Sequence, residues 1–229
     1  MHFGGWQRFS MIDYPDKICA IGFTQGCNFR CPFCHNPELV EPELFNDAIA
    51  EEKILDFLQE RIGKIDGVTI TGGEPTLHND LLGFIKKVKS LGFLVKLDTN
   101  GSRPEKIQEI INDKAVDYIA MDIKGPEEKY AQIARAEINL ADLRKSIEMI
   151  MSSGIPYEFR TTVVTTLLNK EDIIAIGRMI FGARLYVLQK FLPTKTIDPD
   201  YLQEDTYSDE ELEGFKSGLS GLVKRCIIR

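Results

Sequence analysis

Apolar positions along the chain recur in two alternating rhythms. Short blocks with the length and β-branched content of buried strands occupy Ile18 to Thr24, Val68 to Thr71, Phe93 to Leu97, Val116 to Met121, Tyr157 to Val164 and Arg184 to Phe191. Between them the spacing is helical. Leu44, Phe45, Ala48, Ile49, Leu55, Leu58 and Ile62 predict a helix from Pro42 to Gly63, with proline at its start and glycine at its end. Further helices are predicted from about Asn79 to Leu91, from Pro104 to Lys114, through Leu140, Leu143, Ile147 and Ile150 up to Gly154, and from Asn169 through Ile173, Ile176 and Ile180. Residues 1–17 read as irregular. A stretch rich in Pro, Asp and Thr, Pro193 to Ser208, leads to a final amphipathic helix over about 208–225 that carries Leu212, Phe215, Leu219 and Leu222.

Strands alternating with helices predict one α/β domain over residues 1–229, a parallel sheet with helices outside it. Right-handed crossovers leave that sheet to open flat or to curl toward a barrel, and in both cases ligands gather at the carboxyl ends of the strands. The distinctive polar groups fall at those ends. Cysteines follow the first strand, Gly72-Gly73-Glu74-Pro75 the second, Asp98-Thr99-Asn100-Gly101 the third and Asp122-Ile123-Lys124-Gly125 the fourth. Arg160 lies inside the fifth strand among apolar neighbours, where it needs a buried partner. One such strand end is commonly a turn or a cap; four together are hard to assign to packing.

Cys27, Cys31 and Cys34 stand at C-x3-C-x2-C spacing in Cys27-Asn28-Phe29-Arg30-Cys31-Pro32-Phe33-Cys34-His35-Asn36-Pro37. A strand alternates its faces and cannot aim three such thiols at one point, whereas a loop built on Gly26, Pro32 and Pro37 can. Soft thiolates select zinc or an iron–sulfur cluster, and a [4Fe–4S] cube held by three cysteines keeps one iron free for a substrate. A structural zinc wants four protein ligands. His35, directly beside Cys34, leaves little room to complete a tetrahedron, so zinc would need a distant fourth ligand such as Cys19 or Cys226. Otherwise Cys19 and Cys226 read as a core thiol and a tail thiol, Trp6 as packing and His78 as a helix-start residue.

Composition narrows the setting. The chain has 43% hydrophobic and 28% charged residues and a net charge of −7, ordinary for a globular protein and unfavourable for a nucleic-acid partner. Its five cysteines, three of them bunched, do not make a disulfide framework, and no apolar run has the length of a membrane span. Gly4, Gly5, Gln7, Arg8 and Asp13 interrupt any leader-like opening. These features predict a reducing cytoplasmic location, and an exposed cluster would call for an anaerobic one.

Here the residues resemble the radical S-adenosylmethionine superfamily, whose two principal marks are the C-x3-C-x2-C loop after the first strand and the Gly-Gly-Glu-Pro turn after the second. The resemblance covers about residues 10 to 193, with a core of about 18–193. Cys34-His35-Asn36, the Asp98 strand end, Asp122-x-Lys124 and Arg160 are similar to glycyl-radical-enzyme activating enzymes, and the Cys27–Pro37 wording is closest to activators of anaerobic ribonucleotide reductase. The absence of a second cysteine group separates the chain from members with auxiliary clusters.

The resemblance implies a partial (β/α)6 barrel and a definite reaction. A reduced [4Fe–4S] cluster on Cys27, Cys31 and Cys34 cleaves S-adenosylmethionine, and the resulting 5′-deoxyadenosyl radical abstracts a glycine hydrogen on a partner enzyme. It further implies that Glu74 meets the methionine amino group, with Gly72 and Gly73 allowing close backbone approach, and that Lys124 and Arg160 meet the carboxylate. Asp98 and Asn100 would bind the ribose, or Asp98 and Asp122 would share a monovalent cation. Phe33 and His35 would border the adenine, with Gln189 and Phe191 as further candidates, and Asp13 would face the incoming glycine loop. The implied reductant is a flavodoxin- or ferredoxin-type protein. Rival readings are a superfamily member acting on a small molecule, such as a modified-base precursor, and a non-catalytic zinc or electron-transfer module.

Overall fold

The computed structural model describes residues 1–229. Eight strands form one sheet in sequence order: β1 Phe3–Ser10, β2 Cys19–Thr24, β3 Gly67–Gly72, β4 Leu94–Thr99, β5 Tyr118–Asp122, β6 Tyr157–Val163, β7 Tyr186–Lys190 and β8 Cys226–Ile228. β1 is antiparallel to β2, and every later neighbour is parallel. β2 to β7 are the predicted parallel strands. The sheet does not close, so β1 and β8 are its free edges.

Sequential order with right-handed crossovers puts the connecting helices on one face of the sheet. That face carries Val68, Ile70, Val95, Leu97, Ile119, Met121, Phe159 and Leu188, all buried in one large core with helix residues. The helices are α1 Pro37–Val40, α2 Glu51–Gln59, α3 Leu81–Ser90, α4 Pro104–Asn112, α5 Glu127–Ala134, α6 Leu140–Ser152, α7 Lys170–Met179 and α8 Asp209–Ser217. The alternate residues Thr69, Lys96, Asp98, Asp122, Glu158 and Arg160 point to the inner face, by the strand period of two. The molecule thus buries hydrocarbon outside its sheet and ionic groups inside it. No helix is long and apolar enough to cross a membrane.

Four sequence expectations need correction. Residues 1–17 are not irregular throughout, since β1 pairs along β2 from Phe3↔Thr24 to Ser10↔Cys19. The helix expected over 42–63 is broken into a 3-10 turn at Pro42–Leu44 and α2. The backbone between them is used elsewhere: Gln25 Nε2 donates to Asn46 O at 2.7 Å, and Ile49 N donates to Phe3 O at 2.7 Å. The segment after Lys124, left without an element, contains α5. The last helix ends at Ser217 rather than near 225, and Gly221 at φ +80° turns the chain so that Cys226–Ile228 pairs with β7. Its start is set as the sequence suggests, by a Ser208–Glu211 capping box.

Candidate active site

The cysteine loop leaves the carboxyl end of β2, and its entry is fixed by backbone. Gly26, at φ +90°, donates to Leu39 O at 2.7 Å, and its own carbonyl accepts from Glu74 N at 2.8 Å. Gly73 N donates to Thr24 O at 2.8 Å. A Cβ on Gly73 would lie 2.0 Å from Gly26 O, and one on Gly72 2.5 Å from Thr24 N. The two glycines therefore let the turn after β3 lie directly on the cysteine loop. Further along, Arg30 N donates to Ala134 O at 2.8 Å, its Nη1 to Cys27 O at 2.7 Å, and Cys34 N to Cys31 O at 3.0 Å.

Fourteen of the site residues named from the sequence line one cavity at this rim: Cys27, Cys31, Phe33, Cys34, His35, Gly72, Gly73, Glu74, Asp98, Asn100, Asp122, Lys124, Arg160 and Gln189; Phe191 and Asp13 do not. Burial pushes the Cys27 thiol up to about 12 and Cys31 to about 11, and raises Cys34 as well, with Lys124 opposing the effect at all three. They are poor nucleophiles in this state, and a metal would have to displace their protons. No group of three His, Cys, Asp or Glu side chains comes together closely enough to hold one metal ion. Three thiols on one cavity wall are a donor set that fits a [4Fe–4S] cluster, with one thiolate for each of three irons.

Glu74 is 1% exposed. Its Oε1 accepts from Thr76 N at 3.0 Å, from Thr99 Oγ1 at 2.7 Å and from the Thr76 hydroxyl, and its Oε2 accepts from Asn100 N at 2.6 Å. Burial raises its carboxyl while these bonds pull the other way. The carboxylate ties the end of β3 to the end of β4. Asn100 in turn donates to Asn28 Oδ1 at 2.9 Å, and Asn28 donates to Ser102 Oγ at 2.9 Å, which fastens the cysteine loop to β4.

Across the inner face runs a row of alternating charges. Lys96 pairs with one oxygen of Asp98, and Arg160 Nη1 reaches the other at 3.0 Å. Arg160 Nε meets Asp122 Oδ1 at 2.7 Å, and Lys124 meets Asp122 Oδ2 at 3.1 Å. Burial alone would raise both carboxyls, but Arg160 with Lys96 holds Asp98 below the usual carboxylate range, and Arg160 with Lys124 holds Asp122 there. The buried partner that Arg160 requires is thus a pair of aspartates.

On the other wall His35 stacks on Phe191 at 5.6 Å between ring centres, its Nε2 lies 2.8 Å from Leu192 O, and Phe33 meets Phe191 edge-on at 6.3 Å. Phe191 itself is fully buried behind these rings. Asp13 is elsewhere: it lies in the β1–β2 connection, at the opposite rim of the sheet, where its carboxylate accepts from Ser10 Oγ. Sequence reasoning missed Lys96, Asn28, Thr76 and Thr99. Lys96 was discoverable, because it stands two residues before Asp98 and so shares its face.

Comparison with known proteins agrees with this site. Residues 21–180 match the family model described as the radical SAM superfamily. A Methanocaldococcus jannaschii protein provisionally named a glycyl-radical enzyme activating enzyme is 32% identical over 96% of this chain and 92% of its own length. The pyruvate formate-lyase-activating enzyme of Clostridium pasteurianum is 30% identical over 83% of this chain and 81% of its own. A GTP 3′,8-cyclase of Alkaliphilus oremlandii is 29% identical over 69% of this chain but only 47% of its own length. In fold, the chain is similar to the crystal structure of Streptococcus suis SuiB bound to S-adenosylmethionine, with a TM-score of 0.70 at 13% identity; the match covers 91% of this chain and 49% of SuiB. Superfamily members use a [4Fe–4S] cluster and S-adenosylmethionine. This chain belongs to the radical SAM superfamily and is an enzyme of that chemistry.

Proposed function

We propose that the protein is a glycyl-radical-enzyme activating enzyme whose partner is an anaerobic ribonucleotide reductase. The observation that carries this reading is its end-to-end similarity to activating enzymes, at 32% identity over 92% of one such relative. The wording of Cys27 to Pro37 supports the choice of partner. The cyclase relative favours a small-molecule reading, but this chain spans only 47% of it. Cysteine usage supports a cytoplasmic setting, and one-electron reduction requires a donor of flavodoxin or ferredoxin type.

Cys27, Cys31 and Cys34 would hold three irons and leave the fourth for the methionine amino and carboxylate groups. The chemistry supplied there is reductive cleavage of the sulfonium, giving a 5′-deoxyadenosyl radical that takes a glycine α-hydrogen. Lys124 and Arg160 would attract the methionine carboxylate through charge-assisted bonds. Their row with Lys96 carries one more positive than negative group, so an anion beside it relieves the excess. Glu74, its carboxylate already given to Thr76, Thr99 and Asn100, would fix the strand ends that frame the site; direct contact with the amino group would compete with those bonds. Phe33, His35 and Gln189 would border the adenine, and Asp98 and Asn100 the ribose.

The test is anaerobic reconstitution with iron and sulfide, reduction, addition of S-adenosylmethionine and chromatography for 5′-deoxyadenosine. Product that disappears in Cys31→Ala is expected. A protein that takes up zinc and never builds a cluster would contradict the reading.

A further inference from the structure

Asp98 and Asp122 present four carboxylate oxygens to the inner face, and each already has a cationic partner. Lys96 takes one oxygen of Asp98, Arg160 bridges the second to the near oxygen of Asp122, and Lys124 takes the last. Lys96 is 2% exposed and its ammonium bonds to no group but Asp98. A lysine this deeply buried is costly unless its charge is answered, so its place is explained by the carboxylate it meets. The strand period sets the pair: in β4, residues 96 and 98 share one face.

The resemblance to activating enzymes implies a monovalent metal ion shared by these two carboxylates. In this chain an ion would have to displace an ammonium or the guanidinium, and would add charge to a row that already holds three cations for two anions. We propose that Lys96 is the resident counter-cation of the Asp98–Asp122 pair, a positioning residue that keeps Asp98 oriented and makes the site independent of sodium and potassium. Replacing Lys96 by an apolar residue uncovers one Asp98 oxygen and opens a place the size of an ammonium group. A metal cation can then enter it.

The inference rests on placing S-adenosylmethionine beside these carboxylates, and two measurements separate the claims. In the first, thallium(I), a spectroscopic stand-in for potassium, is titrated into the full chain and followed by thallium NMR. The wild type is expected to show no saturable site, and Lys96→Met to acquire one that potassium competes away. In the second, S-adenosylmethionine affinity of the reconstituted protein is compared in sodium, potassium and tetramethylammonium chloride at equal ionic strength. Affinity of the wild type and of Lys96→Arg should be indifferent to the salt. That of Lys96→Met should fall ~10-fold or more in tetramethylammonium and recover in potassium, as expected when one partner of a buried ion pair is lost. A saturable thallium site in the wild type that vanishes in Asp98→Asn would overturn the proposal, and so would salt-indifferent binding by Lys96→Met. The wild-type titration decides even if Lys96→Met does not fold. Absence of S-adenosylmethionine binding in every salt would count against the placement of that ligand, leaving the thallium result to decide on Lys96.

Discussion

Glu74, buried at the rim, gathers four donors around two oxygens. Glu74→Gln keeps the shape but sets an amide NH2 against groups that themselves donate, so at least one buried donor loses its acceptor. The expected loss is about 2–3 kcal/mol, read as a lowered urea midpoint at unchanged slope; an unchanged midpoint would show that the bonds are not made. Gly73→Ala tests packing instead of polarity. Its Cβ meets the Gly26 carbonyl at 2.0 Å, a backbone atom that no rotamer can move, so the turn after β3 must lift off the cysteine loop. Iron retained after anaerobic desalting is expected to drop severalfold, as in other losses of support around a metal site, and full retention would place the loop's support elsewhere. The cysteines were legible in sequence because their spacing is local. The Glu74 bonds were not, since Thr99 and Asn100 are 25 and 26 residues away along the chain.

At the scale of elements, the inner face of the sheet behaves as an ionic layer. Asp98 and Asp122 have lowered native pKa values, so their contribution to stability is complete above the unfolded carboxylate range near pH ~4 and is lost as pH falls from there through the lowered native values. Stability of the wild type should decline below that pH, and Asp98→Asn should decline less steeply; equal slopes in urea midpoints against pH would contradict this. The edge strand β8 adds a second ionic contact. Arg229 reaches Glu158 with two bonds of 2.9 Å, and Glu158 is fully buried with only Tyr118 as a further partner. Arg229→Ala strands that carboxylate and should cost about 3 kcal/mol, while Arg229→Lys should retain part of it; equal urea midpoints for wild type and Arg229→Ala would show that the contact carries no weight. The central strands could be read from the sequence because their outward residues are apolar throughout and recur at the strand period. β1 and β8 could not, since an edge strand of eight or three residues is defined by what it pairs with. The 42–63 pattern failed for a related reason: helical spacing was present, but β1 and Gln25 claimed the intervening backbone.

The whole molecule is organised by one asymmetry. Helices cover the outer face of an open sheet, and the carboxyl ends of β2 to β6 converge on one rim where thiols, charges and aromatic rings line a common cavity. The fold class and this convergence could be anticipated from strand ends alone, because parallel βα units direct every loop of that kind to one side. The activating-enzyme reading stands or falls on whether a partner enzyme is served at this open side. The most direct measurement mixes the reduced, reconstituted protein with S-adenosylmethionine and an anaerobic ribonucleotide reductase from the same source, and follows the sample by electron paramagnetic resonance and chromatography. A glycyl radical on the reductase, formed with an equal amount of 5′-deoxyadenosine and absent without this protein, is the predicted result. Cleavage of S-adenosylmethionine that leaves the reductase without a radical, but consumes GTP when GTP is supplied, would contradict it.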